Sequence, residues 1–172
     1  MICVTGTEST GKTTLARQLA AAYAAPLVPE VARDYLAGRQ GYHRDDVLAI
    51  ARAQLAAEAR LLESAGELLV VDTDLTVIQV WWEEKYGDLD PWLRAALEQR
   101  SPRRYLLNAP DLPWAFDPLR ESPLDRPRLH QRYREILEQG PFPFGEIAGS
   151  GDRRLVRARR RVQAWLGEAR HR

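Results

Sequence analysis

The sequence predicts an α/β fold in which helices cover both faces of a parallel sheet, and three observations lead to this class. Short apolar segments alternate with longer amphipathic segments along the 172 residues. A glycine-containing turn joins the first apolar segment to the first helical one. No repeat or low-complexity tract interrupts the alternation. Because a chain of this length can form one full core, we expect a single domain spanning residues 1–172.

The predicted elements follow one another in order along the chain. Apolar runs predict strands at residues 1–5, 26–29, 67–72 and 104–108, and a weaker fifth strand at 142–149. Helical spacing of apolar residues predicts helices at 12–24, 43–66, 75–86, 91–100, 128–139 and 152–169. The segment from Ala109 to Pro127 contains five prolines, including Pro127, and is therefore predicted to be a loop. We interpret residues 109–128 as a candidate lid.

The composition favours a water-soluble globular enzyme. Hydrophobic residues make up 45% of the chain and charged residues 28%, with a net charge of +1, which argues against disordered and nucleic-acid-coating proteins. The single cysteine, Cys3, excludes a disulfide framework and favours a reducing, cytoplasmic location. No apolar run approaches the roughly 18 residues of a membrane span. Neither a membrane nor a nucleic acid is therefore an expected partner. The histidines lack metal-ligand spacing and are interpreted as solvent-facing or structural.

The segment between the first strand and the first helix carries the clearest chemical signal. Gly6, Gly11, Lys12 and Thr13 have the spacing of a phosphate-binding loop. Backbone N–H groups and the positive helix end converge on one point there, so a nucleoside triphosphate is the expected ligand. Lys12 is predicted to contact the outer phosphates and the Thr13 hydroxyl to bind Mg²⁺. The predicted nucleotide-binding residues of this loop are Gly6, Thr7, Glu8, Ser9, Thr10, Gly11, Lys12, Thr13 and Thr14.

A second signal follows the third predicted strand. The run from Leu68 to Asp72 is typical of a buried strand that delivers a carboxylate to the sheet edge where the phosphate loop lies. Asp72 is therefore predicted to be a Mg²⁺ ligand, directly or through water, and a candidate catalytic residue. Asp74 is a further candidate, although its position also suits a cap for the next helix.

The phosphate loop alone does not identify the activity, because kinases, GTPase switches and mechanical ATPases all use it. The Asn-Lys-x-Asp guanine signature is absent from the sequence, and 172 residues are few for a motor ATPase. A small-molecule kinase fits this size. Such an enzyme requires a carboxylate near the acceptor hydroxyl, cations around the transferred phosphoryl group, and a lid that excludes water.

Two segments contain candidate residues for these roles. One segment directly follows the second strand, and the other is the proline-rich segment. Glu30, Arg33 and Asp34 are predicted to face the acceptor, although the two carboxylates would also suit the first turn of a helix. The alternative interpretation of the candidate lid, residues 109–128, is an exposed surface loop without a role in the site. If the lid forms, its predicted phosphate-contacting residues are Arg120, Arg126 and Arg128, and its predicted acceptor-contacting residues are Asp111, Trp114 and Asp117. Candidate ring-stacking residues are Tyr35, Trp81, Trp82 and Trp114, with core packing the alternative for Trp81 and Trp82.

Five segments, in this order, resemble the ribosylnicotinamide kinase domain of the bifunctional NAD-biosynthesis regulator family. They are residues 6–14, 30–35, 72–74, 109–114 and 117–121. The likeness covers nearly the whole chain. The sequence PDLPW followed by DPLRE is much more particular to that family than the phosphate loop is.

The resemblance implies a three-layer P-loop kinase fold, with a five-stranded parallel sheet in the order 2-3-1-4-5. It also implies ATP-dependent phosphorylation of the 5′-hydroxyl of nicotinamide riboside, which yields nicotinamide mononucleotide. The bifunctional members carry an adenylyltransferase domain before the kinase. A phosphate loop that begins at Gly6 therefore predicts a stand-alone kinase, without adenylyl transfer or repression.

The same resemblance implies roles for individual residues. Glu30, or one carboxylate of the Asp72 and Asp74 pair, would be the catalytic base. Trp114 or Tyr35 would stack on the nicotinamide ring. The implied lid cations are Arg120 and Arg126, and the implied adenine-binding segment is residues 149–153, in which Arg153 would also contact ATP.

Alternatives remain for the C-terminal segment and for the activity. The eight arginines from Arg153 to Arg172 form either a solvated helix face, which we favour, or a nucleic-acid patch. A nucleotide-dependent switch that hydrolyses ATP slowly is the alternative from another functional class. A kinase for a different nucleoside or vitamin alcohol is the alternative within the same class.

Overall fold

The five predicted strands are present and alternate with helices. The strands are β1 (Ile2–Thr5), β2 (Leu27–Val28), β3 (Val70–Asp72), β4 (Arg104–Asn108) and β5 (Phe144–Ile147). The helices are α1 (Lys12–Tyr23), α2 (Val31–Leu36), α3 (Arg44–Ser64), α4 (Leu75–Tyr86), α5 (Pro91–Glu98), α6 (Arg126–Gln139) and α7 (Gly151–Arg170). The computed structural model describes residues 1–116 and 124–170. Asp117 and Arg120 of the candidate lid lie outside the described residues.

The strands form one parallel sheet in the order β2-β3-β1-β4-β5, which confirms the expected order. Val4 of β1 pairs with Asp72 of β3 on one side and with Leu106 of β4 on the other. Because the strands are parallel, their carboxyl ends meet at the same edge of the sheet. The phosphate loop, Asp72 and the residues after β4 are therefore brought together.

Alternating side chains of the strands place an apolar core on each face of the sheet. On one face, Ile2 and Val4 pack in a cluster with residues of α1 and α7. On the other face, Cys3 and Val71 pack in a cluster with residues of α4 and α6. The resulting layers are helices, sheet and helices, as expected for this fold class.

A third apolar cluster joins the helices that follow β2 and β3. It contains buried residues of α2, α3, α4 and α5, including Ile50 and Trp82. Trp82 is 1% exposed, so the core-packing alternative holds for this residue. No helix within residues 1–116 and 124–170 is both long and apolar enough to cross a membrane.

Candidate active site

The phosphate loop joins β1 to α1 and has the backbone geometry that its glycines predict. Gly6 has φ of +132° and Gly11 has φ of +72°, values that favour glycine. A Cβ on Gly6 would lie 2.8 Å from the carbonyl oxygen of Asn108 in β4. Within the loop, the Thr10 hydroxyl and the Lys12 ammonium both donate to the Thr7 carbonyl, at 2.8 and 2.9 Å. Internal hydrogen bonds and close contact with β4 therefore fix the curve of the loop.

Gly6→Ala is expected to weaken nucleotide binding by about tenfold or more, because the added methyl group would push the loop away from Asn108. Titration calorimetry with ATP would measure the change, and thermal unfolding would show whether the fold is kept. Gly66→Ala is the matched control, since a Cβ at Gly66 would meet no atom within 4 Å. Equal ATP affinities for the two variants would contradict the prediction.

Asp72 lies against Thr13 of the phosphate loop, and together the two side chains fit a Mg²⁺ ion. Asp72 is 2% exposed, and the Thr13 hydroxyl donates a hydrogen bond to its carboxylate. Asp72 Oδ1 has no hydrogen-bond partner among the described residues. Burial raises the pKa of Asp72, although the Thr13 hydrogen bond and the charge of Lys12 act in the opposite direction. A partnerless buried carboxylate oxygen beside a hydroxyl is a set of oxygen donors that suits Mg²⁺.

The described parts of the chain contain no group of three or more His, Cys, Asp and Glu side chains that could hold a metal ion. A Mg²⁺ ion at Asp72 would therefore complete its coordination with phosphate oxygens and water, as this ion commonly does. The assignment of Thr13 and Asp72 as metal ligands stays a prediction.

Asp74 has the capping role that the sequence left open. Its carboxylate accepts a hydrogen bond from the Thr76 N–H at 2.9 Å, at the start of α4. Asp74 Oδ2 also accepts from the Tyr105 hydroxyl at 2.6 Å and from Arg103 at 2.8 Å. Burial raises the pKa of Asp74, but the charges of Arg103 and Arg100 outweigh burial and leave the pKa below its ordinary value. This ionised, fully bonded carboxylate is poorly placed to take a proton from a substrate.

Thr73, between the two aspartates, has an uncommon backbone conformation. Its φ is +66° although it is β-branched and 4% exposed. The Thr73 N–H donates to the Val4 carbonyl at 3.1 Å, and the Thr73 carbonyl accepts from Gln54 Nε2 at 3.2 Å. The turn leaves Asp72 beside the phosphate loop and directs Asp74 to the start of α4.

Glu58 extends the buried charge network behind Asp74. Arg103, which bonds Asp74, also lies 3.2 Å from Glu58 Oε2, and both side chains are almost fully buried. Glu58 Oε1 has no hydrogen-bond partner within residues 1–116 and 124–170. Burial raises the pKa of Glu58 from 4.5 to about 7, against the opposing charge of Arg103.

The shift at Glu58 predicts a pH-dependent stability. Between pH 4.5 and about 7, the folded chain retains a proton that the unfolded chain has released, so the free energy of unfolding should fall as the pH rises. Glu58→Gln removes this titration and should make that fall shallower. Urea unfolding across this range would measure it, with the exposed Glu63→Gln on the same helix as control. Identical pH slopes for wild type and Glu58→Gln would contradict the prediction.

A cavity of about 490 Å³ adjoins the phosphate loop. All nine loop residues from Gly6 to Thr14 line it, as do Glu30, Arg33 and Asp74. Glu30 precedes α2 but makes no side-chain capping hydrogen bond, so its carboxylate is not committed to the helix. The charge of Glu30 raises the pKa of Asp72, which places the two carboxylates within electrostatic reach.

The remaining lining of the cavity is largely apolar and aromatic. It includes Leu36, Tyr42, Ile50, Val77, Ile78, Val80, Trp81, Leu129 and Tyr133. The rings of Tyr42 and Trp81 meet edge to face with centroids 4.8 Å apart, and Trp81 Nε1–H donates to the Tyr42 hydroxyl at 2.7 Å. Lys85 donates to the same hydroxyl. These rings form a fixed surface against which a flat ligand can pack.

Two predicted ring-stacking residues contact other groups. The Tyr35 hydroxyl donates to Asp46 at 3.0 Å, and Tyr35 is not among the residues lining the cavity. Trp114 packs near Phe116, with ring centroids 6.2 Å apart, and likewise does not line the cavity. Of the predicted stacking residues, Trp81 is the one that lines the cavity.

The structure also describes Asp111, which was predicted to contact the acceptor, and Arg126 and Arg153, which were predicted to contact the nucleotide. Asp111 accepts a hydrogen bond from the Gly149 N–H at 2.5 Å rather than lining the cavity. Arg126 donates to the Leu112 carbonyl at 2.8 Å. Arg153 is exposed at the start of α7. The ligand contacts assigned to these residues stay predictions.

Sequence reasoning missed two residues of this region, Tyr42 and Arg154. Tyr42 lies in the short segment before α3, where nothing in the sequence pattern distinguishes it. Arg154 was one of many arginines in the last helix, yet it is 4% exposed. Its spacing from the buried Ala158 and Val162 was the available signal, since residues four apart share a helix face.

Two curated proteins are similar in sequence to nearly the whole chain. The chain is 27% identical to the trifunctional NAD biosynthesis/regulator protein NadR of Escherichia coli (strain K12), over 98% of this chain and 43% of that protein. It is 26% identical to the NadR protein of Salmonella typhimurium (strain LT2), over 97% of this chain and 43% of that protein. The chain thus spans less than half the length of these relatives. The resemblance inferred from the sequence motifs is confirmed over nearly the whole chain.

Solved structures confirm the fold. A crystal structure of NadR protein in complex with NR superposes with a TM-score of 0.78 at 24% identity, covering 96% of this chain and 51% of that one. NadR protein in complex with NAD and AMP-PNP gives a TM-score of 0.74 at 23% identity, over 96% of this chain and 49% of that one. A deoxyadenosine kinase from M. mycoides with bound dCTP gives 0.56 at 13% identity, over 95% of this chain and 98% of that one.

One family model, described as an AAA domain, matches residues 1–154. That span includes the phosphate loop, Asp72 and Asp74, all five strands and the first residues of α7. With most of its length matched, the chain belongs to the AAA_28 family of AAA domains.

Proposed function

We propose that this chain is an ATP- and Mg²⁺-dependent kinase that transfers a phosphoryl group to the 5′-hydroxyl of nicotinamide riboside. The observation that carries the proposal is the cavity, whose lining combines the phosphate loop, the carboxylate of Glu30 and the aromatic surface of Tyr42 and Trp81. A nucleotide switch needs a phosphate loop but has no use for an adjoining pocket with a partly exposed carboxylate and an aromatic wall.

The relatives support this choice of donor and acceptor. Curated NadR proteins named for NAD biosynthesis align with nearly the whole chain. Solved NadR structures hold NR in one case and NAD with AMP-PNP, an analogue of ATP, in the other. NR corresponds to the proposed acceptor and AMP-PNP to the proposed donor.

In the proposed reaction, the acceptor oxygen forms a bond with the γ-phosphorus while the bond to the bridging oxygen of ATP breaks, and ADP leaves. Glu30 accepts the proton of the acceptor hydroxyl. Lys12 and the N–H groups of the phosphate loop stabilise the charge on the transferred group. Asp72 and Thr13 would hold Mg²⁺, which when bound neutralises charge on the outer phosphates.

Arg33 is assigned to the acceptor side of the cavity, as a positive charge near the proposed base Glu30. It lines the cavity and lies 3.9 Å from Glu30, with half of its side chain exposed. Arg120 and Arg126 of the candidate lid remain proposed phosphate contacts, and Trp81 replaces Trp114 and Tyr35 as the favoured stacking surface for the nicotinamide ring.

The direct test is ATP consumption with a panel of acceptors, followed by mass detection of the product. The panel comprises nicotinamide riboside, deoxyadenosine, thymidine and a no-acceptor control. We expect ADP and nicotinamide mononucleotide to form in equal amounts. ATP turnover without any phosphorylated acceptor would refute the kinase proposal, and turnover with another nucleoside alone would refute the proposed substrate.

A further inference from the structure

Arg154, which the proposed reaction does not use, connects three segments around the nucleotide end of the site. Its Nη1 donates to the Thr10 carbonyl of the phosphate loop at 2.5 Å. Its Nε donates to the Gly149 carbonyl, in the segment before α7, at 2.6 Å. Its Nη2 forms an ion pair with Asp111, at the start of the candidate lid. The guanidinium is buried and therefore cannot be an ordinary surface charge of α7.

The hydrogen bond from Arg154 to the Thr10 carbonyl influences the direction of the next backbone N–H group, that of Gly11, which is expected to bind phosphate. In a trans peptide unit the carbonyl of one residue and the N–H of the next point in opposite directions. The Thr10 carbonyl accepts both from Arg154 and from Asn108 Nδ2, the latter at 2.9 Å. Two donors behind the loop therefore turn the Gly11 N–H toward the opposite, concave side, where a phosphate is expected.

The charge of Arg154 is balanced within the same cluster. Burial lowers the pKa of Arg154, and Asp111 opposes that effect. Asp111 also accepts the Gly149 N–H at 2.5 Å, so its carboxylate joins the arginine to the segment before α7. The cluster of Arg154, Asp111, Gly149 and Thr10 is thus a closed set of hydrogen bonds.

We propose that Arg154 is a positioning residue for the nucleotide: it fixes the Gly11 N–H for phosphate binding and couples the phosphate loop to the segment containing Gly149. The proposal rests on the assignment of the loop as a nucleotide site, but not on the identity of the acceptor. The guanidinium bonds acceptors in three segments at once. A lysine carries the same charge on one nitrogen and cannot reproduce this fork.

The test compares Arg154→Gln and Arg154→Lys with Arg160→Gln, which removes an exposed arginine of the same helix. ATP affinity is measured by titration calorimetry, and KM for ATP, KM for the riboside and kcat by steady-state kinetics. We expect both Arg154 variants to raise Kd and KM for ATP by about tenfold or more. KM for the riboside should change by less than about twofold, as should every constant of Arg160→Gln.

A merely structural role would lower the melting temperature and the active fraction, and hence the apparent kcat, without moving KM for ATP. Unchanged ATP affinity in Arg154→Lys would overturn the proposal. If Arg154→Gln does not fold, Asp111→Asn is measured in its place. This variant removes the ion pair with Arg154 and should raise KM for ATP about threefold. An unchanged KM for ATP in Asp111→Asn would also overturn the proposal. Failure of the wild-type protein to bind ATP would instead refute the nucleotide site itself.

Discussion

Lys12→Ala is expected to lower phosphotransfer by about a thousandfold or more while the protein stays folded. The ammonium group sits in the curve of the phosphate loop, where it donates to the Thr7 carbonyl at 2.9 Å. Its removal takes away the mobile positive charge that can follow the outer phosphates through the reaction. The loss of one loop hydrogen bond should change the free energy of unfolding by only about 1 kcal/mol.

The variant Lys12→Arg tests whether the positive charge of Lys12 is sufficient for activity or whether the compact shape of its ammonium group is also required. The planar guanidinium keeps the positive charge but does not fit where a compact ammonium lies between phosphates, so this variant should also lose most activity. The measurement is the initial rate of product formation at saturating ATP, with thermal unfolding as the test of folding. Substantial activity in Lys12→Ala would refute the assigned role of the loop lysine.

Glu30→Gln is expected to lower kcat by about a hundredfold to ten-thousandfold and to leave ATP affinity nearly unchanged. The carboxylate lines the cavity, is one quarter exposed and makes no capping bond. It can therefore accept a proton without disturbing the fold. Glutamine has nearly the same shape but cannot act as a base, so the rate should fall without a loss of nucleotide binding.

The controls for Glu30→Gln are Asp45→Asn, an exposed carboxylate at the start of α3, and Asp72→Asn. Asp45→Asn should keep the wild-type rate. Asp72→Asn should raise the Mg²⁺ concentration required for half-maximal rate, because it alters the proposed metal ligand. A full rate in Glu30→Gln would transfer the role of base to Asp72, since Asp74 is fully bonded to α4, Tyr105 and Arg103.

The sheet and the phosphate loop were predictable because their signals are local. A strand, a loop of fixed spacing and a helix follow one another within residues 1–24, and each strand reads as an apolar run. The order of the strands came from the family resemblance, because periodicity alone does not say which strands are neighbours. The short helix α2 was anticipated only as the alternative role of Glu30 and Asp34.

The walls of the cavity were less predictable, because they depend on contacts between distant segments. Tyr42 meets Trp81, which lies 39 positions later, through a hydrogen bond and an edge-to-face contact. Trp81 and Trp82 look alike in the sequence, yet one lines the cavity and the other is buried between helices. The rotation of α4 about its axis determines that Trp81 rather than Trp82 faces the cavity, and packing against the other helices sets this rotation.

Charged residues were hardest to place, because the same side chain can serve a ligand or the fold. Asp72 and Asp74 are separated by one residue, but only Asp72 keeps a carboxylate oxygen without a partner among the described residues. Arg153 and Arg154 are adjacent, and the buried one bonds the phosphate loop. A sequence pattern shows that a charge is present and does not show what satisfies it.

The backbone at Thr73 limits how far this protein can be stabilised. A left-handed β-branched residue costs on the order of 1–3 kcal/mol, and an engineer seeking a more heat-resistant protein would first replace it with glycine. The same conformation, however, separates the carboxylate beside the phosphate loop from the carboxylate that holds α4. Glycine would keep this left-handed turn without strain but would also allow other backbone conformations there, so stability and the fixed separation of the two carboxylates compete at this single residue.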